Sequence, residues 1–376
     1  MGGGSTATST VLGPAEGYAA IVDKGEQLVK ADPVQILMLS FYAGCFIGFG
    51  ALLSLTISGN IEGTVMIHGT GVSGYIYAVL FPVNLLFILL SGCILYTGAT
   101  FTTPAAWIEG RAKIVNVILV ISIAWVGNII GGIFFALLTD LCGLNEGGVA
   151  RLAVSVLRSK TSKSFFVILL RGIGCNWLVS MAVYLCSMAQ DMTGKYVAIV
   201  FPISTFVACG FEHYPANAYA LPLGYLASLK DEYTIPGVEL PGLVEIFGLN
   251  LIPCSIGNLI SGVIVMACGF SYFFGVLRHS ACVHFVQGGE RIKDGADIPQ
   301  LAALDNFRKQ VSGGGNPSVP VPISSAAKGE TPFSNIVPVP ANSALPAVPP
   351  DSKPEALAWI EAISGSNQDF TRSVSC

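Results

Sequence analysis

Between Ala208 and Pro222 the chain reads ACGFEHYPANAYALP, which sets Glu212 beside His213 inside a long apolar run, with Pro215 and Asn217 close behind. A carboxylate next to an imidazole is a pair that can bind, orient or exchange protons with a small polar solute. In hydrocarbon an unpaired charge costs about 2.5–3.5 kcal/mol even on the lenient insertion scale, so such groups face a cavity or one another. Pro215 removes a backbone donor and disfavours helical geometry at Tyr214, so a helix should break here. A broken membrane helix is tolerated only where its freed backbone groups meet protein or water. Together these features mark the centre of a transport pathway.

The elements that would position this stretch are apolar. The chain is 52% hydrophobic and 11% charged, with mean hydropathy +0.67, whereas soluble domains carry about 25% charged residues. A net charge of −4 without any basic cluster gives no footing for nucleic acid. No CxxC metal spacing occurs, and seven of the ten cysteines (Cys45, Cys93, Cys175, Cys186, Cys209, Cys254 and Cys268) lie in apolar runs, where they read as small packing residues and not as a disulfide framework. No cofactor is expected. The N-terminus lacks the basic and short apolar regions of a signal peptide.

Apolar runs at about 34–58, 73–95, 114–139, 165–188, 195–228 and 247–277 each reach the ~20 residues that cross a bilayer, which predicts six spans. The organisation expected is a tail and surface helix over 1–33, a transmembrane domain over 34–280, and a proline-rich tail over 281–376 that cannot bury a core. Within that tail Pro354–Ile363 has a weak helical pattern. The weakly apolar stretch after residue 95, TGATFTTPAAW, reads as a loop at membrane depth. The basic 141–163 segment reads as a connecting loop, in which Arg151 and Arg158 are plain solvated charges.

The sequence also repeats itself. Gly127-Asn128-Ile129-Ile130-Gly131-Gly132 is echoed by Gly257-Asn258-Leu259-Ile260-Ser261-Gly262, Phe81-Pro82-Val83 by Phe201-Pro202-Ile203, and Gly44-Cys45 by Gly174-Cys175, at offsets of 130, 120 and 130 residues. Three spans per half is an odd number, so the second half enters from the opposite side, giving inverted repeats with matching breaks near Thr97-Gly98 and Glu212–Pro215. That pattern points to a site at the bilayer midplane. Lys24, Lys30, Arg111, Lys113, Arg278, Arg291 and Lys293 share one side if both termini are cytoplasmic. The basic 141–163 segment then lies outside, where it would concentrate anions.

Four stretches, LSGCILYTGATF (Leu90–Phe101), GIGCNWLVSMA (Gly172–Ala182), GFEHYPANAYALP (Gly210–Pro222) and NLIPCSIGNLISG (Asn250–Gly262), resemble the signatures of the formate–nitrite transporter family over about Gly17 to Gly275. The resemblance implies an all-α homopentamer with an aquaporin-like pore in each protomer, passing small monovalent anions or their weak acids: formate, nitrite, hydrosulfide or lactate. The proline-rich tail and the Leu-Tyr-Thr-Gly form of the first motif look closest to apicomplexan lactate–proton members. Position by position, the resemblance makes His213 the central pore histidine, Glu212 the acid beside it, Thr97 (with Gly98) the loop group facing it, and Lys160 the outer-vestibule lysine. It makes Phe81, Leu85, Ile88, Leu95 and Phe206 two apolar constrictions, and Asn176 and Asn217 polar residues around the centre. Ser180 replaces a usual cysteine, Tyr214-Pro215 replaces smaller residues, and Ile94 stands where many bacterial members carry an acid. These departures bear on substrate identity.

Each residue has a plainer reading. Glu212 reads more as a brace, bonded to Asn176 or backbone, than as a proton carrier. Arg171 reads as a snorkelling or subunit-contact residue, and His68, His279 and His284 have no ligand-like neighbours. Amides freed after Leu95 and near His213 could line an anion site. The expected function is transport of monocarboxylates with a proton in the plasma membrane. A water or neutral-solute channel is the alternative, although neither TPAA (Thr103–Ala106) nor YPAN (Tyr214–Asn217) supplies the paired Asn-Pro-Ala break of that class. An intramembrane enzyme would need a second base and an orienting group that the sequence does not offer.

Overall fold

The structure is a computed structural model that describes residues 10–61, 71–234 and 239–278, all within one compact unit. The proline-rich tail 281–376, its Pro354–Ile363 patch, and His68, His279 and His284 lie outside the described residues.

Among the described residues the regular structure is helical, apart from one isolated bridge between Val11 and Ala189. Helix α1 (Pro14–Lys30) opens on a proline, and Glu16 reaches back to the Gly13 amide at 2.9 Å. The Asp32 carboxylate then accepts from the Val34 and Gln35 amides and starts α2 (Pro33–Gly59), satisfying donors that a helix start leaves without partners. The chain continues through α3 (Val72–Leu80), a turn at Phe81-Pro82, α4 (Val83–Ser91), α5 (Tyr96–Ile108) and α6 (Ile114–Leu141). It goes on through α7 (Gly147–Thr161), α8 (Phe165–Met188), α9 (Met192–Ala208) and α10 (Tyr214–Ser228). The last helix, α11 (Val244–Phe274), carries π-helical turns over Val244–Leu251 and Ser261–Cys268. Among the described residues, five stretches are long and apolar enough to cross a membrane: α2, Val72–Ser91, α6, α8 and α11. The chain is an all-α integral membrane protein.

The run 195–228 is interrupted as expected: it forms two short helices, α9 and α10, separated by residues 209–213. Two expectations change. The break in the second expected span falls at 92–95, ahead of Thr97, and TGATFTTPAAW is helix α5. Its threonines looked like loop residues, but Thr100, Thr102 and Thr103 each turn a hydroxyl back onto a carbonyl three or four residues earlier. Those bonds satisfy the hydroxyls inside the helix itself. The 141–163 segment is mostly helix α7. It buries Val149, Leu152, Val154 and Leu157 and packs on α10, so it is an amphipathic cover and not merely a connecting loop.

The repeated glycine–asparagine motifs do two things. Gly131 and Gly257 let backbones meet: a Cβ on either would stand 3.1 Å from the Cα of Gly44 or Gly172. In this way α6 seats on α2 and α11 on α8. The asparagines between them reach the two breaks, as described next.

Candidate functional site

Each break holds a glycine in left-handed geometry at or next to its first residue, Gly92 (φ 77°) and Gly210 (φ 69°), where a Cβ would be strained. Each is then gripped by one buried asparagine. Asn128 accepts from the Tyr96 amide at 2.8 Å and donates to the carbonyls of Ser40 and Ile94 at 2.8 and 3.0 Å. Asn258 accepts from the Tyr214 amide at 3.0 Å and donates to the carbonyls of Gly172 and Glu212 at 2.8 and 3.1 Å. The two tyrosines that begin α5 and α10 meet edge to face, ring centroids 5.1 Å apart, and Trp125 stacks on Tyr214 at 5.4 Å. The first amides after both breaks are therefore held by asparagines and not offered to a solute.

The second break carries the polar groups. Thr97 Oγ1 lies 3.1 Å from His213 Nε2, joining the start of α5 to the end of the 209–213 segment. Thr97 is oriented in turn: Asn176 donates to Thr100 Oγ1 at 2.9 Å, and Thr100 donates to the Thr97 carbonyl at 2.8 Å. His213 is 3% exposed, and its Nδ1 has no hydrogen-bond partner among the described residues. Phe206 packs against the imidazole at 5.4 Å between centroids and meets Phe81 edge to face at 6.1 Å.

Glu212, 2% exposed, accepts from Lys160 Nζ at 2.8 Å and from Asn217 Nδ2 at 2.7 Å. Asn217 also donates to Asn250 Oδ1 at 2.8 Å, and Asn250 donates to the Lys160 carbonyl at 3.0 Å. The expected bond from Glu212 to Asn176 is not made. Asn176 lies on the Thr97 side, bonded to Thr100 and to the Asn258 carbonyl.

A cavity of about 270 Å³ opens onto this assembly, lined by Phe81, Phe206, His213, Glu212, Asn217 and Lys160, among others. Arg171, read as a snorkelling or subunit-contact residue, also lines this cavity and donates to the Gly210 carbonyl at 3.2 Å. Cys209, read as packing, is exposed and lines the same cavity. A second hollow of about 30 Å³ lies at the other break, lined by Ile94, Leu95, Gly98 and Lys24, among others. Leu85 and Ile88 line neither space. They are buried in the core between, in one cluster with Phe81, Leu95 and Phe206.

Lys24 was missed because an isolated lysine on an amphipathic surface helix looks ordinary. Its only signal was a place on the polar side of α1. Burial, its largest influence, pushes the ammonium's pKa down. The Lys160–Glu212 pair was illegible because 52 residues separate the partners.

A polar centre between two broken helices, roofed by aromatics and open to cavities, is the arrangement the four signature stretches imply. Residues 15–272 match the family described as "Formate/nitrite transporter". The chain belongs to that family. It is 30% identical to a probable formate transporter of Methanothermobacter thermautotrophicus, over 71% of this chain and 98% of that protein. It is 27% identical to a formate-nitrite transporter of Plasmodium vivax over 70% and 84% of the two chains. Among solved structures it is similar to one described as an FNT family ion channel, with TM-score 0.60 and 25% identity, covering 69% of this chain and 98% of that one. A pentameric formate channel with formate bound shares the fold, with TM-score 0.56 and 20% identity over 64% and 97% of the two chains. The family is one of transporters and channels.

Proposed function

We propose that this chain carries small weak-acid anions, formate and lactate first and nitrite as a further substrate, together with a proton, through a pore in each protomer of a homopentamer. The relatives' names supply the anion class, and the pentameric neighbour suggests the assembly. The proposed setting is the plasma membrane with both termini cytoplasmic, which places the larger cavity outside. The two halves are proposed to insert with opposite orientation, as the recurring asparagine clamps suggest.

The observation that carries this reading is His213, a residue lining the larger cavity: Nε2 is engaged by Thr97, while Nδ1 is buried without a partner among the described residues. A buried polar nitrogen left unpaired costs about 1–3 kcal/mol, and a passing solute would remove that cost. Moving a small ion into low dielectric is prohibitive. The apolar groups beside the histidine, Phe81 and Phe206 on one side and Leu95 on the other, are proposed to strip water from the anion. As the dielectric falls, desolvation raises the substrate's own pKa, so the anion takes up a proton and crosses as neutral acid. In this reading Thr97 fixes the imidazole and Nδ1 meets the substrate. The Lys160–Glu212–Asn217 group holds the wall in place and keeps its net charge near zero.

Uptake of labelled formate and lactate into proteoliposomes tests this. His213→Phe is expected to abolish uptake while leaving the thermal transition and oligomer size unchanged. Normal uptake by a folded variant would overturn the role of His213. Osmotic swelling of the same vesicles without acid uptake would favour the neutral-solute channel.

A further inference from the structure

The buried tyrosines among the described residues follow one rule: each places its hydroxyl in a hydrogen bond. Tyr96, Tyr184 and Tyr214 donate to backbone carbonyls, and the rest bond Glu109, Thr139 and the Gly147 amide. A phenol taken out of water needs such a partner. Tyr77, on α3, is half-buried and does not follow the rule. It lines the larger cavity, and its hydroxyl has no hydrogen-bond partner among the described residues. Its ring is fixed by stacking on Phe81, with centroids 6.0 Å apart and planes 16° from parallel. Ring contacts thus run in series from His213 to Phe206, from Phe206 to Phe81 and from Phe81 to Tyr77. Phe81 and Gly74, about one turn to either side of Tyr77 on this stretch of chain, also line the cavity and offer a solute no hydrogen-bonding side chain.

We propose that the Tyr77 hydroxyl binds the 2-hydroxyl of a 2-hydroxy monocarboxylate, so that Tyr77 sets how well this cavity takes lactate against acids that lack that group. The inference rests on the proposed function for the carboxylate and adds which other part of the substrate is read, and by which residue. A 2-hydroxyl that enters an apolar passage without a partner pays to leave water. A phenol oxygen both donates and accepts, so Tyr77 can replace the water that the 2-hydroxyl loses, whereas the rings of Phe81 and Phe206 cannot. A site built to bond a substrate hydroxyl disfavours the analogue without one, because its own polar group is then left unpaired.

The test is uptake of labelled lactate, propionate and formate into proteoliposomes of the full-length chain at one pH, with the leak of protein-free vesicles subtracted. Tyr77→Phe keeps the ring on Phe81 and removes one oxygen. The ratio of kcat/KM for lactate to that for propionate should fall about two- to tenfold, the worth of one neutral hydrogen bond. The formate-to-propionate ratio should hold, since neither acid carries a 2-hydroxyl. Ratios taken within one preparation cancel the fraction of active protein, so a general loss of packing does not imitate the effect.

A lactate-to-propionate ratio that Tyr77→Phe leaves unchanged would overturn the proposal, as would an equal loss for all three acids. The unaltered protein gives a second answer that needs no variant to fold. Lactate should compete with labelled formate uptake at a several-fold lower concentration than isobutyrate, in which a methyl group replaces the 2-hydroxyl at similar volume. Competition by lactate no better than by isobutyrate would overturn the assignment. Normal formate uptake with an unchanged ratio would count against Tyr77 alone, whereas no uptake of any of the three acids would sink the transport reading and this assignment with it.

Discussion

The breaks at 92–95 and 209–213 share a frame and differ in cargo. Both have a left-handed glycine, an asparagine that binds one amide and two carbonyls, and a following helix that starts on a tyrosine. Yet the first presents Cys93, Ile94 and Leu95, while the second presents Phe211, Glu212 and His213. The frame therefore does not require polar side chains in the interrupted segment. It solves the backbone problem, since every freed amide and carbonyl in a membrane interior needs a partner. Chemistry is then added at one break only. There it brings further supports that the apolar break lacks: Lys160 and Asn217 on Glu212, and Thr97 on His213.

The largest effect expected from this comparison comes from the asparagines. Asn258→Leu leaves one amide and two carbonyls without a side-chain partner, at about 1–3 kcal/mol each for buried groups, so the thermal transition in detergent should collapse. Asn128→Leu should be as damaging. A well-folded variant of either would show that its clamp is ornamental, and sharply unequal losses would show that the frames are not equivalent.

Next come the supports of the polar break. Lys160→Ala leaves Glu212 buried without its counter-charge, and breaking a buried pair in this way costs about 3–5 kcal/mol. Glu212→Gln strands only Lys160, whose side chain is 20% exposed and can reach water, so its loss should be clearly smaller. Equal losses would mean that Glu212 is better solvated than its burial suggests. At the apolar break, Leu95→Ala should leave stability within about 2–5 kcal/mol of the parent, as for other buried leucine truncations. It should raise lactate uptake relative to formate by widening the passage, and an unchanged ratio would remove Leu95 from the pathway. The smallest effects belong to the glycines. Nothing stands within 4 Å of a Cβ on Gly92, and only an Arg171 nitrogen approaches one on Gly210, at 3.9 Å. Gly→Ala should therefore cost only the left-handed backbone penalty of about 1–2 kcal/mol at each.

Much of this frame could be read from the amino-acid types. Apolar runs marked the long membrane helices, Pro215 beside Glu212-His213 marked the second break, and the paired Gly-Asn motifs pointed to the two asparagines that grip the breaks. What could not be read was register. The motif offsets were 120 and 130, whereas the clamps relate Tyr96 to Tyr214 and Ser40 to Gly172, two residues away in each case. Small-residue matches tolerate such a slip, while hydrogen bonds do not. Helix α5 was hidden because threonine and glycine have low helix propensity, and their satisfaction depends on i−3 and i−4 carbonyls that exist only once the helix forms. Lys24, Arg171 and Cys209 were hidden because their significance comes from cavities that tertiary packing creates.

The most direct test of the account is the proton that should accompany the anion past His213. With a pH-sensitive dye trapped in proteoliposomes, adding formate outside should acidify the lumen in step with labelled formate uptake, and His213→Phe should show neither signal. Formate uptake that carries net charge and leaves the luminal pH unchanged would contradict it.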